Sequence, residues 1–386
     1  MSSYHVQILP SLAHISQQDW NACCFNDRTH HNPFLSHQFL YALEQSGCAV
    51  AETGWQAQHI LIHKGASLVG IMPLYLKSHS QGEYVFDHAW ANAYHNAGGD
   101  YYPKLQCSAP FSPVTGPRLM VRPSEDTPLI QKMLLDAAVN LAQKYGVSSL
   151  HVTFAEKSEW EFMADYGFLK RIDQQFHWLN ENYRSFEDFL NALSSRKRKN
   201  IRKERKLAII NDIKIEILTG SQITENHWDH YFTFYIDTSN RKWGQPYLNR
   251  DFFTRLGEKM GDRTVLIMCK RGDKYIAGAL NLFSDDTLYG RYWGANEQHR
   301  FLHFEVCYYQ AIEYAIEKGL KKVEAGAQGE HKLSRGYRPT TTYSAHWINN
   351  PSFRDAIEGY LIRERDMSQQ DQDMLASFTP FKRDKV

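Results

Sequence analysis

Chemically reactive side chains are concentrated near the end of the chain, in the stretch EAGAQGEHKLSRGY. Glu330, His331 and Lys332 are consecutive there, and Arg335 follows three residues later. A histidine or a carboxylate can accept a proton from an attacking amine. A lysine or an arginine can stabilise negative charge on an oxygen or a phosphate. These residue types predict an acyl-transfer site, with Glu330, His331 and Lys332 in catalysis and Arg335 in substrate binding.

A second group of polar residues, with His303 and Glu305, lies around the start of a predicted helix. Glu305 lies near that helix start, where we expect it to assist catalysis, although a carboxylate there also favours the helix dipole without any chemistry. Further candidates for substrate binding are Arg291, Trp293, His303 and Gln328.

Several classes of protein are disfavoured by composition and motifs. The chain has 386 residues, 42% hydrophobic content and a net charge of +1, which is typical of a folded protein without a polyanion partner for the molecule as a whole. Its six cysteines form no CxxC pair and its histidines show no zinc-ligand spacing, so no metal site is expected. No run approaches the roughly 18 apolar residues of a membrane span. Without a signal peptide, we expect a cytoplasmic protein.

The elements that must position these residues belong to an internal repeat. His177 follows Gly167 at the tenth position, and His346 follows Gly336 at the same spacing. Both histidines are candidates for packing residues of a duplicated unit, an interpretation that we favour for His177. The other matching residues are Trp20 and Trp228, Gly70 and Gly278, Trp90 and Trp293, and Gly146 and Gly319. The repeat predicts two domains, residues 1–182 and 183–386.

Each copy has the pattern of a mixed α/β (α+β) unit. In the second copy, alternating and helical spacings predict a strand, two helices, three antiparallel strands, a helix and two more strands. Arg271-Gly272-Asp273 and Ser284-Asp285-Asp286 are turns between the three strands. This order resembles the GNAT acyltransferase fold, so the sequence predicts two tandem GNAT-like domains, each a mostly antiparallel sheet flanked by helices. A last helix is expected at residues 351–366.

The first copy carries an insertion of 30 residues, mostly within Asn92–Asp126. Its aromatic residues Tyr94, Tyr101, Tyr102 and Phe111 disfavour disorder, so we expect an ordered functional loop, with a structural insertion as the alternative. In this loop Tyr101, Tyr102 and Lys104 are the candidates for substrate binding.

A basic segment opens the second copy. Residues 185–207 predict a helix, and Arg196–Lys206 contains eight basic residues and one acid. The helix face is either simply solvated or a surface for phosphates, such as those of a tRNA.

Several motifs resemble the Fem-like family of peptidoglycan biosynthesis/recognition proteins. They are residues 101–106 (YYPKLQ), 113–118 (PVTGPR), 302–305 (LHFE) and 326–332 (GAQGEHK). The resemblance implies two tandem GNAT-like domains, transfer from aminoacyl-tRNA to a cell-wall precursor, and a role for Lys332 near the reacting carbonyl. The pyrophosphate loop of GNAT proteins that use coenzyme A is not found, so acyl-CoA and aminoacyl-tRNA both remain as donor co-substrates, neither bound tightly.

The sequence therefore predicts an N-acyltransferase or aminoacyltransferase acting on an amine acceptor, of the kind found in peptidoglycan precursors. The alternative is an inactive GNAT-like module that binds a peptide or glycopeptide, with the inserted loop as the recognition element.

Overall fold

The computed structural model describes residues 3–25, 31–242, 245–326 and 329–382, apart from the side chains of Lys242 and Glu330. The chain forms two compact units. Unit 1 comprises residues 1–173 and 341–369, and unit 2 comprises residues 174–340 and 370–386.

The first half of the chain supplies most of unit 1. Its elements are β1 (Tyr4–Leu9), α1 (Gln17–Cys24), α2 (His37–Gln45), β2 (Trp55–Ala57), β3 (His59–Lys64), β4 (Ser67–Met72), β5 (Leu74–Lys77), α3 (His88–Asn96), β6 (Lys104–Cys107), β7 (Met120–Val121), α4 (Thr127–Tyr145), β8 (Ser149–Ala155), α5 (Lys157–Asp165) and β9 (Leu169–Leu179).

The second half supplies most of unit 2. Its elements are α6 (Phe186–Ala192), α7 (Ser195–Ala208), β10 (Ile213–Thr219), α8 (Glu225–Lys242), α9 (Arg250–Met260), β11 (Thr264–Arg271), β12 (Lys274–Phe283), β13 (Thr287–Ala295), α10 (Leu302–Phe304), a π-helical turn (Glu305–Tyr309), α11 (Gln310–Glu317), β14 (Lys322–Glu324), β15 (Arg338–Ile348) and α12 (Pro351–Ser377).

Unit 1 is built on two sheets that share a core with α4. One sheet is antiparallel in the order β1-β3-β4-β7. The other has the order β2-β5-β6-β8-β15, with β6 and β8 parallel and the remaining pairs antiparallel. Leu150 and Val152 of β8 join the hydrophobic core with Leu134 and Ala138 of α4. His151, which alternates with them, points to the opposite face and is also buried.

Helix α4 has clear start and stop signals. The Asp126 side chain accepts a hydrogen bond from the backbone N–H of Leu129, and Gly146 ends the helix in the left-handed conformation at φ 64°. Both are the residue types expected at these ends.

Unit 2 contains an antiparallel meander, β10-β11-β12-β13, followed by β14 and the end of β9. Strand β14 is parallel to β13 and antiparallel to β9. The core lies between this sheet and the helices, and includes Trp178, Ile267, Ile276, Ile312 and Val323. The strands and helices predicted for the second copy are confirmed, and so is the mixed, mostly antiparallel character of the fold.

Strands β13 and β14 separate after a short pairing. Thr287–Tyr289 pair with Lys322–Glu324. Among the described residues, the following part of β13 pairs only with β12. A gap of this kind between two parallel strands leaves backbone groups and side chains available to a ligand.

The end of the last strand of the first copy, and most of the last strand of the second copy, belong to the unit formed by the other copy. Residues 174–179 of β9 are part of unit 2. Thr341–Ile348 of β15 are part of unit 1, and Tyr343–Ile348 pair with β8. The units therefore do not coincide with a division between residues 182 and 183. The repeat orders residues along the chain, but it does not indicate with which sheet a final strand pairs.

The inserted segment 92–126 is largely structured. It contains the end of α3, then β6 and β7, and buries Tyr101, Phe111 and Leu119. The basic segment 185–207 forms two helices, α6 and α7, rather than one. Within the residues that the structure covers, none of the helices combines the length and apolar character needed to cross a bilayer.

Candidate functional site

Lys332 lies in unit 2 where β13 and β14 separate. It belongs to a short 3-10 helix, Glu330–Arg335, that follows β14. Its side chain is buried, with the residue only 2% exposed. The Lys332 Nζ donates hydrogen bonds to the backbone carbonyls of Ala325, at 2.7 Å, and Gly326, at 2.9 Å. Residues that continue β14 thus hold the ammonium group at the strand separation.

The environment of Lys332 is unusual for a charged group. Burial lowers its pKa from the ordinary value to about 8. Within the described part of the chain, no carboxylate forms an ion pair with it. An ammonium group has three donors, and two are used by the carbonyls of Ala325 and Gly326. One donor remains for an oxygen atom of a ligand.

His331 is the neighbouring candidate for proton transfer. Its Nε2 lies 2.9 Å from the hydroxyl of Tyr308. Burial lowers the pKa of His331, and the charges of Arg335 and Lys332 lower it further. The imidazole is therefore neutral near pH 7, the form that can accept a proton. The residue is exposed, so a substrate amine can reach it.

Aromatic side chains connect the end of β13 with His331. The rings of Trp293 and His303 are 5.5 Å apart between centroids, and those of His303 and Tyr308 are 5.4 Å apart. The Phe304 ring lies 5.4 Å from His331. Trp293, His303 and His331, predicted from separate segments, are therefore brought into one cluster. Arg291 lies two residues before Trp293 on β13, with its guanidinium over the Tyr292 ring.

Arg335 is held inside the protein rather than presented to a ligand. Its Nη2 donates to both carboxylate oxygens of Glu204, at 3.0 and 2.9 Å, and its Nη1 donates to the carbonyl of His331 at 2.7 Å. The guanidinium also stacks 3.6 Å from the centroid of the Phe304 ring. These contacts hold the Arg335 guanidinium against His331 and Phe304, and the predicted role of Arg335 in substrate binding stays a prediction.

The Glu305 carboxylate is likewise bound by side chains of the protein. The carboxylate is buried and accepts hydrogen bonds from Arg205 at 2.9 to 3.1 Å and from Gln310 at 2.7 Å. Arg205 also binds Glu313. Through these contacts Glu305 and Arg205 tie α7 to the π-helical turn and to α11.

Sequence reasoning did not single out Glu204, Arg205 or Tyr308. Glu204 also accepts a short hydrogen bond from the hydroxyl of Tyr309. The available signal was that Glu204 is the sole acid within the basic run Arg196–Lys206.

The backbone beside the cluster is irregular at two places. Phe301, which precedes α10, has a positive φ of 65°, uncommon for a residue with a side chain. The next turn, Glu305–Tyr309, is π-helical. Such deviations are frequent at functional sites, and here they surround His303 and Tyr308.

The site candidates in the inserted segment lie in unit 1, in a buried charged network. Lys104 is 0% exposed, and its Nζ donates to Ser80 at 2.8 Å, to Glu83 at 2.7 Å and to Asp87. Tyr101 is also buried, and its hydroxyl donates to Asp87 at 2.7 Å. The structure thus places Tyr101 and Lys104 out of contact with solvent. Their predicted role in substrate binding stays a prediction.

The electrostatics of this network follow from burial and close charges. Burial raises the pKa of Glu83 to about 7. Burial alone would lower the pKa of Lys104, but Glu83 and Asp87 raise it above its ordinary value. Tyr102 remains partly exposed, with its hydroxyl 2.8 Å from that of Ser80. It is therefore the one residue of the predicted trio that keeps access to a ligand.

Two predicted site residues lie beyond what the structure covers. Gln328 is outside the described residues, and so is the side chain of Glu330. Their predicted roles stay predictions.

The fold and the strand separation define the class of protein, a pair of tandem GNAT-like domains. The chain aligns with a tandem GNAT protein from the clavulanic acid biosynthesis pathway at 12% identity, over 90% of this chain and 99% of that one, with a TM-score of 0.50. It aligns with FemX at 14% identity, over 89% and 99%, with a TM-score of 0.57. L-PGS from Bacillus licheniformis aligns at 9% identity, over 83% and 95%, with a TM-score of 0.50. At these identities the similarities establish the fold alone.

A sequence model of one family matches nearly the whole chain. The FemAB-like model, described as peptidoglycan biosynthesis/recognition, matches residues 11–383. The protein therefore belongs to the FemAB-like family. No curated protein sequence matches the chain.

Proposed function

We propose that this protein transfers an acyl or aminoacyl group to an amine on a peptidoglycan precursor. The observation that carries the proposal is the buried Lys332 ammonium, held by the Ala325 and Gly326 carbonyls beside the exposed, neutral His331. A fixed cation in a site of low polarity stabilises an oxyanion more strongly than it would in water.

The proposed reaction assigns one step to each group. The acceptor amine attacks the donor carbonyl and forms a new C–N bond. His331 takes the proton that the amine loses. The remaining donor of Lys332 hydrogen-bonds to the oxyanion of the tetrahedral intermediate. The bond between the carbonyl carbon and the leaving group then breaks; it is a C–O bond for an aminoacyl-tRNA and a C–S bond for an acyl-CoA. The proton held by His331 leaves with the tRNA or the coenzyme A.

Support for the substrates comes from the family and from the fold. The family description names peptidoglycan, and FemX is among the similar structures. The donor is either an aminoacyl-tRNA or an acyl-CoA. The sequence lacks the pyrophosphate loop of GNAT proteins that use coenzyme A, which favours the tRNA ester.

The proposal is tested by incubating the purified protein with a peptidoglycan precursor and either charged tRNA or acetyl-CoA. Mass spectrometry then measures the acceptor. We expect a mass increase with one donor, and loss of that product in Lys332→Met. The exposed Lys321 provides the control variant Lys321→Met, which should stay active. Absence of product with both donors would contradict the proposal.

A second candidate function is recognition of a precursor without chemistry. It is favoured by the pairing of Glu204 and Glu305 with arginines, since this leaves His331 to act as base without a carboxylate partner among the described groups. Recognition alone predicts that the precursor raises the melting temperature while no donor is consumed.

A further inference from the structure

Helix α7 has two opposite faces. Ile201 and Ala208 are buried, and Glu204 and Arg205 between them bind Arg335 and Glu305. The other face is open: Arg196, Lys199, Lys203 and Lys206 are all exposed. Their spacing of three, four and three residues places them along one line of the helix.

The charge on this outer face has no partner within the described residues. None of those four side chains forms an ion pair or hydrogen bond with them. The segment Arg196–Lys206 carries eight basic residues and one acid in a chain whose net charge is +1. Four of these eight basic residues, those of the outer face, therefore form a local positive surface.

Helix stability does not explain the placement of these charges. The first turn of α7 contains no acidic residue, and its N-cap residue, Ser194, makes no capping hydrogen bond. Cations near a helix N-terminus oppose the helix dipole. Arg196, Lys197 and Arg198 therefore weaken the helix that carries them, which indicates an external anionic partner.

Two isoleucines extend the basic line beyond the end of the helix. Ile209 is 46% exposed and Ile210 is 65% exposed, and they follow Lys206 by three and four residues. Single exposed apolar residues are ordinary, but an adjacent pair beside a line of cations is the pattern of a membrane-surface contact. Phosphates of RNA would use the cations and leave the isoleucines in water.

We propose that the outer face of α7, with Ile209 and Ile210, docks on an anionic lipid bilayer. Lys199, Lys203 and Lys206 lie over the phosphate layer, and the two isoleucines enter the boundary between headgroups and acyl chains. The inner face of the same helix holds Arg335 and Glu305, so docking would place the Lys332 cluster of unit 2 near the bilayer. The inference does not depend on the transfer reaction.

The test is flotation of the full chain with vesicles of phosphatidylcholine, alone or mixed with phosphatidylglycerol. We expect binding only to the anionic vesicles. Each lysine near an anionic surface contributes about five-fold in binding, so Lys199→Gln/Lys203→Gln/Lys206→Gln should reduce it by at least ~20-fold. The matched control is Lys132→Gln/Lys144→Gln/Lys157→Gln, which removes the same charge from exposed sites in unit 1 and should bind normally.

A second variant separates lipid from nucleic acid. Ile209→Ser/Ile210→Ser should reduce vesicle binding several-fold and leave any binding to polyuridylate unchanged. Equal binding to neutral vesicles, an equal loss in the unit 1 control, or binding to polyuridylate without vesicle binding would each overturn the proposal. Melting temperatures equal to that of the unchanged protein confirm that the variants are folded.

Discussion

The Nδ1 atoms of His151 and His346 lie 2.6 Å apart across strands β8 and β15 of unit 1. One nitrogen must donate and the other accept, so the contact requires that at least one ring is neutral. Burial lowers the pKa of His151 to about 3 and that of His346 well below its ordinary value. The pair is therefore neutral throughout the physiological range.

This pair makes unit 1 sensitive to acid. Below pH 6.5 the unfolded histidines bind protons that the folded ones do not, so stability falls with decreasing pH. Between pH 7 and pH 5 each histidine should cost about 2 kcal/mol. Urea unfolding of His346→Gln should show a smaller loss over that interval than the unchanged protein. The exposed His14 gives the control His14→Gln, for which the loss should be unaltered.

Replacing Lys104 should destabilise unit 1 strongly. Lys104→Met leaves Asp87 without its cation and leaves Glu83 with only Lys77, at 3.9 Å, in a buried site, at a cost of about 3 to 5 kcal/mol. The comparison is Lys77→Met on the adjacent strand, because burial already lowers the Lys77 pKa to about 7 and its charge is easier to lose. Urea unfolding should show the smaller loss for Lys77→Met, and equal losses would contradict this account.

Removing the Lys332 ammonium should impair transfer rather than folding. Lys332→Met should lower kcat/KM by about 100- to 1000-fold, the usual effect of losing one oxyanion donor. The KM for the acceptor should change little, because the interaction develops with the charge. Initial rates with saturating donor measure both constants. An unchanged kcat/KM would remove Lys332 from the mechanism.

The rate should depend on pH through two groups. His331 must be neutral, and its pKa lies below its ordinary value, so kcat/KM should rise with pH in the acidic range. Lys332 must be protonated, so the rate should fall as pH rises through about 8. Measured profiles should lose the acidic limb in His331→Ala and keep the alkaline one. A profile without an alkaline limb would show that Lys332 acts uncharged or not at all.

The ion pair between Glu204 and Arg335 should contribute more to the free energy of unfolding than an exposed ion pair does. Glu204→Ala leaves a buried guanidinium unpaired and should cost about 2 kcal/mol of unfolding free energy. Glu187→Ala breaks an exposed pair with Arg202 and should cost under about 1 kcal/mol. Chemical denaturation compares the two, and similar losses would indicate that the Arg335 contact is not buried in solution.

The secondary structure was predictable because its signals are local. Alternation predicted β10, and the two polar turns at residues 271–273 and 284–286 separated the strands β11, β12 and β13. The sequence predicted Trp293, His303 and His331 only as separate candidates, and the structure brings them together through the Tyr308 side chain.

The pairings of charges could not be predicted in the same way. Glu204 meets Arg335 from 131 residues away, and no local pattern records which acid an arginine selects. The burial of Lys104 could not be predicted either, because lysine is seldom buried and the carboxylates that bind it lie 17 and 21 residues earlier in the chain.

The placement of β15 in unit 1 sets an order of events during synthesis. The sheet of unit 1 stays incomplete until residues 341–348 leave the ribosome, because β8 pairs with them. Until then β8 is an open edge, which other chains can pair with. A product that terminates after residue 182 would keep that edge permanently. Such fragments should aggregate rather than persist as a folded half. A gene truncated between the two copies should therefore yield neither folded unit.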